Sequence, residues 1–252
     1  LVDHHKLRNA RRLDRQTLAT WTQSPRAQRL LALEASELRR VLPEVFGRHV
    51  LQIGNWGGGD ALIACAETLH HAVLGTVNDG CVGAVIEHDR LPLANSSVDA
   101  VVLPHTLEFA RSPHPLLREV DRVLNDRGRL FVLGFSPWNP WAWRQRLGLR
   151  HRAFPASAHF YGAGRVADWL ELLDFEIADL RRFSVGFPWL APRSAGQSWS
   201  PGALLQPFAE AYLLVARKRV VPMNFVGRAQ RAQIKPLVGV AAPAANRDGG
   251  GN

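Results

Sequence analysis

Two short apolar runs, Ala100–Leu103 and Leu130–Leu133, flank a segment whose apolar residues recur at helical spacing. This arrangement constrains the fold more than anything else in the chain. Neither run contains a polar residue, as expected for strands covered on both faces. Leu116, Leu117, Val120, Val123 and Leu124 share one helical stripe, with Arg118, Glu119, Asp121 and Arg122 opposite. Gly128 reads as the helix stop. Strand, helix and strand in this order make a right-handed crossover between parallel strands. The expectation is an α/β domain with a mostly parallel sheet.

The same stretch carries a specific motif string. Asp89 to Asp99 reads D-x-L-P-L-x-x-x-S-V-D, His105 to Glu108 reads H-x-L-E, and Leu117 to Gly128 reads L-R-E-x-x-R-V-L-x-x-x-G. This combination resembles the fourth and fifth strands of class I S-adenosylmethionine (SAM)-dependent methyltransferases, in particular the type 11 methyltransferase domain. The ending Gly134-Phe-Ser-Pro-Trp138-Asn139 resembles a narrower bacterial group of that domain. The resemblance covers roughly His49 to Ala216. It implies a Rossmann-like fold closed by a C-terminal antiparallel strand pair, SAM as cofactor, and methyl transfer to an acceptor that the motifs do not name.

Taken in order, Ser24-Pro25 reads as a helix start, with Ser as cap and Pro in the first turn. Leu30, Leu31, Leu33, Leu38, Val41 and Leu42 mark an amphipathic helix ending before Pro43, and His49–Ile53 the first strand. In the resembling family such a helix partly covers the cofactor. Trp21 reads as a lid residue or, for a lone Trp, a packing anchor. After the first strand comes Gln52-Ile-Gly54-Asn55-Trp56-Gly57-Gly58-Gly59-Asp60, then an expected helix from about Ala61 to His70. Glycines between a buried strand and a helix let the backbone approach a ligand closely. The family pattern here is acid-x-Gly-x-Gly-x-Gly. Gly54 and Gly58 match its first and third glycines, Trp56 replaces the middle one, and Gln52 replaces the acid. A Trp56 ring either crowds the site or shifts the loop so that Gly57–Gly59 make the close approach. Gln52 can hydrogen-bond the cofactor's amino acid end but brings no negative charge to its ammonium group.

Val73–Val77 and Val82–Glu87 read as the second and third strands, separated only by a tight-turn signature around Asn78-Asp79-Gly80. That link is too short for a helical crossover, so a hairpin or a lost strand is expected in a shortened second and third strand region. The family's ribose-binding acid would fall at Val77 or Asn78, with Asp79 as a poor substitute. The resemblance places Asp89 against the adenine amino group; a turn-forming Asp before Leu91-Pro92 is the other reading. His105 ends the fourth strand at the carboxyl edge, where open α/β sheets bind ligands, and is the first candidate for a base. Glu108 either caps or starts the next helix.

Trp138, Trp141, Trp143, Arg144, Arg146, Arg150 and Arg152 cluster in a segment that reads as a substrate lip or as an insertion packing its aromatics inward. Val166–Leu173 reads as a helix, and Phe175–Leu180 with Ala211–Arg217 as the final antiparallel pair. Residues 184–205 form a long Pro, Gly and Ser rich loop between that pair. Apolar patterning fades after Val221. The domain reading is a basic arm over 1–23, a methyltransferase-like domain over 24–220, and a basic disordered tail over 221–252.

Charge follows this division. Residues 1–40 hold nine Lys/Arg against four Asp/Glu, residues 217–252 hold seven against one, and the body between them is net −2. The basic ends read as solvated tails. Attraction to nucleic acid or to an anionic membrane is the alternative, but no aromatics interleave with the charges in a stacking pattern. Two cysteines, Cys65 and Cys81, are too few for a disulfide scaffold or a Cys-based zinc site. There is no G-x-S-x-G and no H-E-x-x-H, and His88, Asp89 and His105 lack metal-ligand spacing, so no metal is assigned. The chain starts at Leu1 rather than Met, with a charged N-terminus that does not read as a secretory signal, and no run reaches a membrane span. A cytoplasmic location is expected. Two functions stand open: an active SAM-dependent methyltransferase, or a catalytically silent module of the same fold that contacts RNA through its basic ends.

Overall fold

Helix α1, Pro25–Val41, starts where its chemistry dictates: the Ser24 hydroxyl accepts the Ala27 N–H at 3.2 Å, and Pro25 occupies the first turn. A single 3₁₀ turn, Leu42–Glu44, closes it at Pro43. The computed structural model describes residues 21–77, 80–138, 158–184 and 209–219. Residues 1–20, 78–79, 139–157, 185–208 and 220–252 lie outside the described residues, and with them most of the expected basic arm, Trp/Arg lip, long loop and basic tail.

Seven strands follow: β1 His49–Ile53, β2 His70–Gly75, β3 Ala84–Val85, β4 Val98–Pro104, β5 Leu124–Phe135, β6 Phe175–Phe183 and β7 Ala211–Lys218. Among the described residues three further helices are present: α2 Thr106–Phe109, α3 Pro113–Val123 and α4 Ala163–Glu171. The sheet order is β3-β2-β1-β4-β5-β7-β6. The first five strands run parallel, and β7 is antiparallel to both β5 and β6. The expected mostly parallel sheet with a C-terminal antiparallel pair is the fold observed.

Strand alternation divides the core into two layers. Val101 and Leu103 of β4, with Leu130 and Val132 of β5, face α3 and α4 through Leu116, Leu117, Val120, Val166 and Leu170. Ala100 and Val102, with Phe131 and Leu133, face the side of α1 through Leu30, Leu38 and Val41. Val50 belongs to the α1 layer while Leu51 and Ile53 belong to the other. Gln52 therefore points toward α1.

Three local expectations are corrected. The segment after the glycine loop is not an α-helix: residues 59–65 form turns, with one Ala64-to-Asp60 backbone bond and i-to-i+3 bonds at Ile63 and Ala66. The bonds that do form are mainly of the i-to-i+3 kind, which close separate turns rather than a continuous helix. The β2–β3 link gives neither a hairpin nor a lost strand. Two parallel pairs form, Leu74 with Ala84 and Gly75 with Val85. Only two residues are paired, so the loop has little length to recross and needs no helix. Gly128 is not the helix stop, because α3 ends at Val123. Pairing between β4 and β5 jumps from Val98–Leu124 to Ala100–Arg129, and Gly128 sits in the resulting bulge. A Cβ there would stand 2.9 Å from the Asn125 carbonyl oxygen.

The motif residues of α3 prove structural. Glu119 accepts the Leu91 N–H at 2.8 Å, and Arg122 donates to the carbonyls of Leu91 and Leu93 and to Asn95. Together they staple the turn before β4 onto the helix. Asp99 does the same for β1: its carboxylate accepts the N–H groups of Arg48 and His49 at 2.7 and 2.9 Å and the Asn125 side-chain amide. Asp99→Ala is expected to lower stability by about 2 kcal/mol, as loss of bonds to a charged acceptor does, measured by urea unfolding.

Candidate functional site

The carboxyl ends of β1, β4 and β5 meet under the middle of α1. Each contributes one element of a buried cluster. Residue Gly54 leaves β1 at φ +105°, where a Cβ would stand 2.6 Å from the Thr106 hydroxyl. That hydroxyl donates to the carbonyl of Ile53, so the end of β1 and the start of α2 are in direct contact. Gly57, Gly58 and Gly59 all have positive φ, between +73° and +86°. A Cβ added at Gly58 or Gly59 would meet nothing within 4 Å, whereas one at Gly57 would meet Leu31 of α1 at 2.7 Å.

Trp56 lies between these glycines and is buried. Its indole N–H donates to Glu34 Oε2 at 2.7 Å. Its ring packs 5.5 Å from Trp21, 4.3 Å from His105 and 5.8 Å from Phe135, centroid to centroid. Trp56 thus fills the space under α1, and Trp21 packs beside it. Gln52 is also fully buried; its amide donates to the carbonyls of Gly54 at 2.9 Å and Gly59 at 3.3 Å, holding the loop from below. Its Oε1 has no partner.

His105 follows Pro104 at φ 52°, ψ 20°, a left-handed conformation that costs about 1–3 kcal/mol in a non-glycine residue. This turn aims the imidazole back under α1. The ring is fully buried, stacked on Phe135 at 3.9 Å and 26°. Nε2 lies 2.7 Å from Glu34 Oε1, and Nδ1 lies 3.5 Å from Glu108 Oε1. That Glu108 oxygen accepts the Phe135 N–H at 2.7 Å, and its Oε2 is buried without a partner. Burial alone would push the imidazole pKa down, but the charges of Glu34 and Glu108 and their hydrogen bonds outweigh it and carry it up to about 9. His105 is therefore an imidazolium at neutral pH, clasped by two carboxylates.

Sequence reasoning misses Glu34. The signal for it is an acid four residues from both Leu30 and Leu38, on the apolar stripe of α1. All three are fully buried. The helix that carries it is pinned at both ends. Arg26 forms a two-point pair with Glu210 at 3.1 and 2.9 Å, and Arg181 of β6 reaches Glu37 at 3.3 Å.

Asp89 lies exposed after β3, on the far side of β1 and β2 from the cluster, and is not brought into contact with it. His88 beside it has its pKa lowered by burial, partly countered by the Asp89 charge. Val77 is half-buried, and Asn78 and Asp79 lie outside the described residues. Trp138 is exposed. Among the described residues no group of three or more His, Cys, Asp and Glu is placed to hold a metal ion, and no helix is long and apolar enough to cross a membrane.

Comparison with known proteins gives a consistent result. A family described as "Methyltransferase domain" matches residues 61–132. The uncharacterized protein YafS of Escherichia coli K12 is 35% identical over 185 residues, covering 72% of each chain. Among solved structures, a SAM-dependent methyltransferase of Thermotoga maritima, described as a possible histamine N-methyltransferase, superposes with a TM-score of 0.57. It is 18% identical and covers 75% of this chain and 89% of that one. A SAM-dependent methyltransferase of Archaeoglobus fulgidus gives a TM-score of 0.54 at 17% identity, covering 74% and 93%.

Proposed function

Because this chain belongs to the class I SAM-dependent methyltransferase family, we propose that it binds SAM over the loop Gly54–Gly59 and transfers its methyl group to an acceptor. The observation that carries the reading is the placement of the buried Glu34–His105–Glu108 cluster beside that loop, at the carboxyl edge of the sheet.

The residues fit the cofactor on two counts. Gly58 and Gly59 offer bare backbone with open space beside it. Gln52 Oε1 and Glu108 Oε2 are buried acceptors without donors, suited to a ligand that brings N–H groups. One residue has to yield: Trp56 occupies the space under α1.

Bound SAM would supply an activated methyl group for in-line displacement, so the protein's task is to position the reactants and manage a proton. In this reading Asp89 accepts the adenine amino group, and Gln52 holds the loop while offering Oε1. His105 already carries its proton at neutral pH. Its role is then to fix the two carboxylates rather than to act as the base. Glu108 Oε2 is the acceptor left to take a proton from the acceptor substrate.

Titration calorimetry with SAM tests this. Binding at micromolar to millimolar concentration is expected, with Asp89→Ala weakening it about five- to hundred-fold, the worth of one hydrogen bond of about 1–3 kcal/mol. Absence of binding at millimolar SAM would overturn the reading.

A further inference from the structure

Trp56 and its latch suggest how the site opens. We infer that Trp56 is a built-in plug whose indole N–H holds Glu34 in place of the ligand's ammonium group, so that ligand entry exchanges one donor for the other. The inference rests on the SAM-binding reading above and adds to it the residue that recognises the cofactor's amino acid end.

Three observations carry it. The first is mobility by construction. Trp56 is flanked by Gly54 at φ +105° and by Gly57, Gly58 and Gly59, residues without a Cβ that exchange positive and negative φ at little steric cost. Gly58 and Gly59 have no neighbour in the way. The roof, by contrast, cannot lift easily. Helix α1 is held by the Arg26–Glu210 and Arg181–Glu37 pairs, and Leu30 and Leu38 are fully buried beneath it. When the site opens, the loop moves and the helix stays.

The second observation is charge. The cluster holds two carboxylates, Glu34 and Glu108, against one imidazolium, His105, all essentially excluded from water. One negative charge is in excess. In the closed state the Trp56 N–H and the Phe135 backbone N–H help to compensate it. Removing Trp56 without replacement would leave Glu34 Oε2 as a buried charged acceptor with no donor, a costly state. The group that takes the indole's place must therefore donate hydrogen bonds and is best positively charged.

The third is the change at Gln52. The acid of the glycine-loop pattern is absent from β1, and Gln52 on the α1-facing side of the strand cannot supply its charge. Glu34 provides a carboxylate on the opposite wall, across the same loop, bonded to the loop's own Trp56. The carboxylate facing the loop therefore stands on the helix side, and Gln52 Oε1 on the strand side is a second, neutral acceptor.

Two ligands separate the claims. S-adenosylhomocysteine carries the ammonium group; 5′-methylthioadenosine has the same nucleoside but lacks the amino acid end. Calorimetry is run with both on the parent, Trp56→Phe and Glu34→Gln proteins. Trp56→Phe keeps an aromatic ring but removes the latch, so it should tighten both ligands by about ten-fold or more and leave their ratio unchanged. Glu34→Gln should shift the ratio against S-adenosylhomocysteine by about ten-fold or more. Tryptophan emission should shift to the red when ligand is added to the parent, and this component should vanish in Trp56→Phe. Should Glu34→Gln fail to unfold cooperatively, Glu34→Asp replaces it, with the same direction of change in the ratio. A ratio unaffected by the Glu34 substitution, or no tightening in Trp56→Phe, overturns the inference while leaving SAM binding intact. No binding of either ligand, or of SAM, to the parent and Trp56→Phe overturns both.

Discussion

Glu34→Leu is expected to unfold at a far lower denaturant concentration than the parent, with a loss of about 3–5 kcal/mol, as when one partner of a buried charge pair is removed. The leucine fits the apolar stripe between Leu30 and Leu38, so the loss is not one of packing. What fails is the pairing of polar groups. The His105 imidazolium keeps only Glu108, at 3.5 Å, and the Trp56 N–H loses its acceptor inside an apolar layer. Glu37→Leu is the control. Glu37 is also buried, but its partners Arg40 and Arg181 are 57% and 33% exposed and remain hydrated when it is removed. Its loss should stay near 1 kcal/mol or below. Urea unfolding of the three proteins checks both values; equal losses would mean that the Glu34 cluster carries no special weight.

Raising the pH removes the same contribution without mutation. The His105 pKa is carried from 6.5 to about 9, against the pull of burial, by Glu34 and Glu108. A folded-state pKa above the unfolded one stabilises the fold fully below pH 6.5, and the gain disappears as pH rises from there through about 9. A shift of this size corresponds to about 3 kcal/mol. The groups facing the imidazole are Glu34 from α1, Trp56 from the loop, Glu108 from α2 and Phe135 from β5, so Glu34 and Glu108 set its charge. Tyr212, whose pKa burial raises well above 10 with help from the Glu108 charge, acts only at higher pH. Stability of the parent should fall steeply between pH 6.5 and 9, while His105→Gln should show little slope in that window. A flat parent profile would mean that the imidazole is neutral in the folded protein.

The architecture was legible because it is written in periodicity. Apolar runs at Ala100–Leu103 and Leu130–Leu133, the stripe of α3 and the Ser24-Pro25 cap all act locally, and the structure places them as read except that Leu124 opens β5 rather than ending the helix. The errors lie where the loops depart from local preference. Ala61 to His70 reads as helical, but the chain enters it from three glycines at positive φ and closes only separate turns. The β2–β3 link looks like a hairpin, but two parallel pairs need almost no return path. His105 was legible from its place at a strand end. Its partner Glu34 lies 71 residues earlier, and only the packing of α1 over the sheet brings them together. The motif residues Glu119 and Arg122, conspicuous in the sequence, hold a turn in place and take no part in the cluster.

The two-residue strand β3 divides the molecule into regions of unequal firmness. Among the described residues the outer flank of β2 is paired only at Leu74 and Gly75, with one further bond from the Gly83 N–H to the Val73 carbonyl, and Val85 is 55% exposed on the last strand. Few buried contacts oppose local opening there, in contrast to β4 and β5 at the centre, whose inner residues are sealed on both faces. The sheet therefore has a fraying margin. It is the margin that carries Asp89, the expected adenine contact, whereas the Glu34–His105 clasp sits over the rigid middle. A nucleoside settling against Asp89 would order a part of the protein that the fold by itself leaves loose, and that ordering would offset part of its binding free energy.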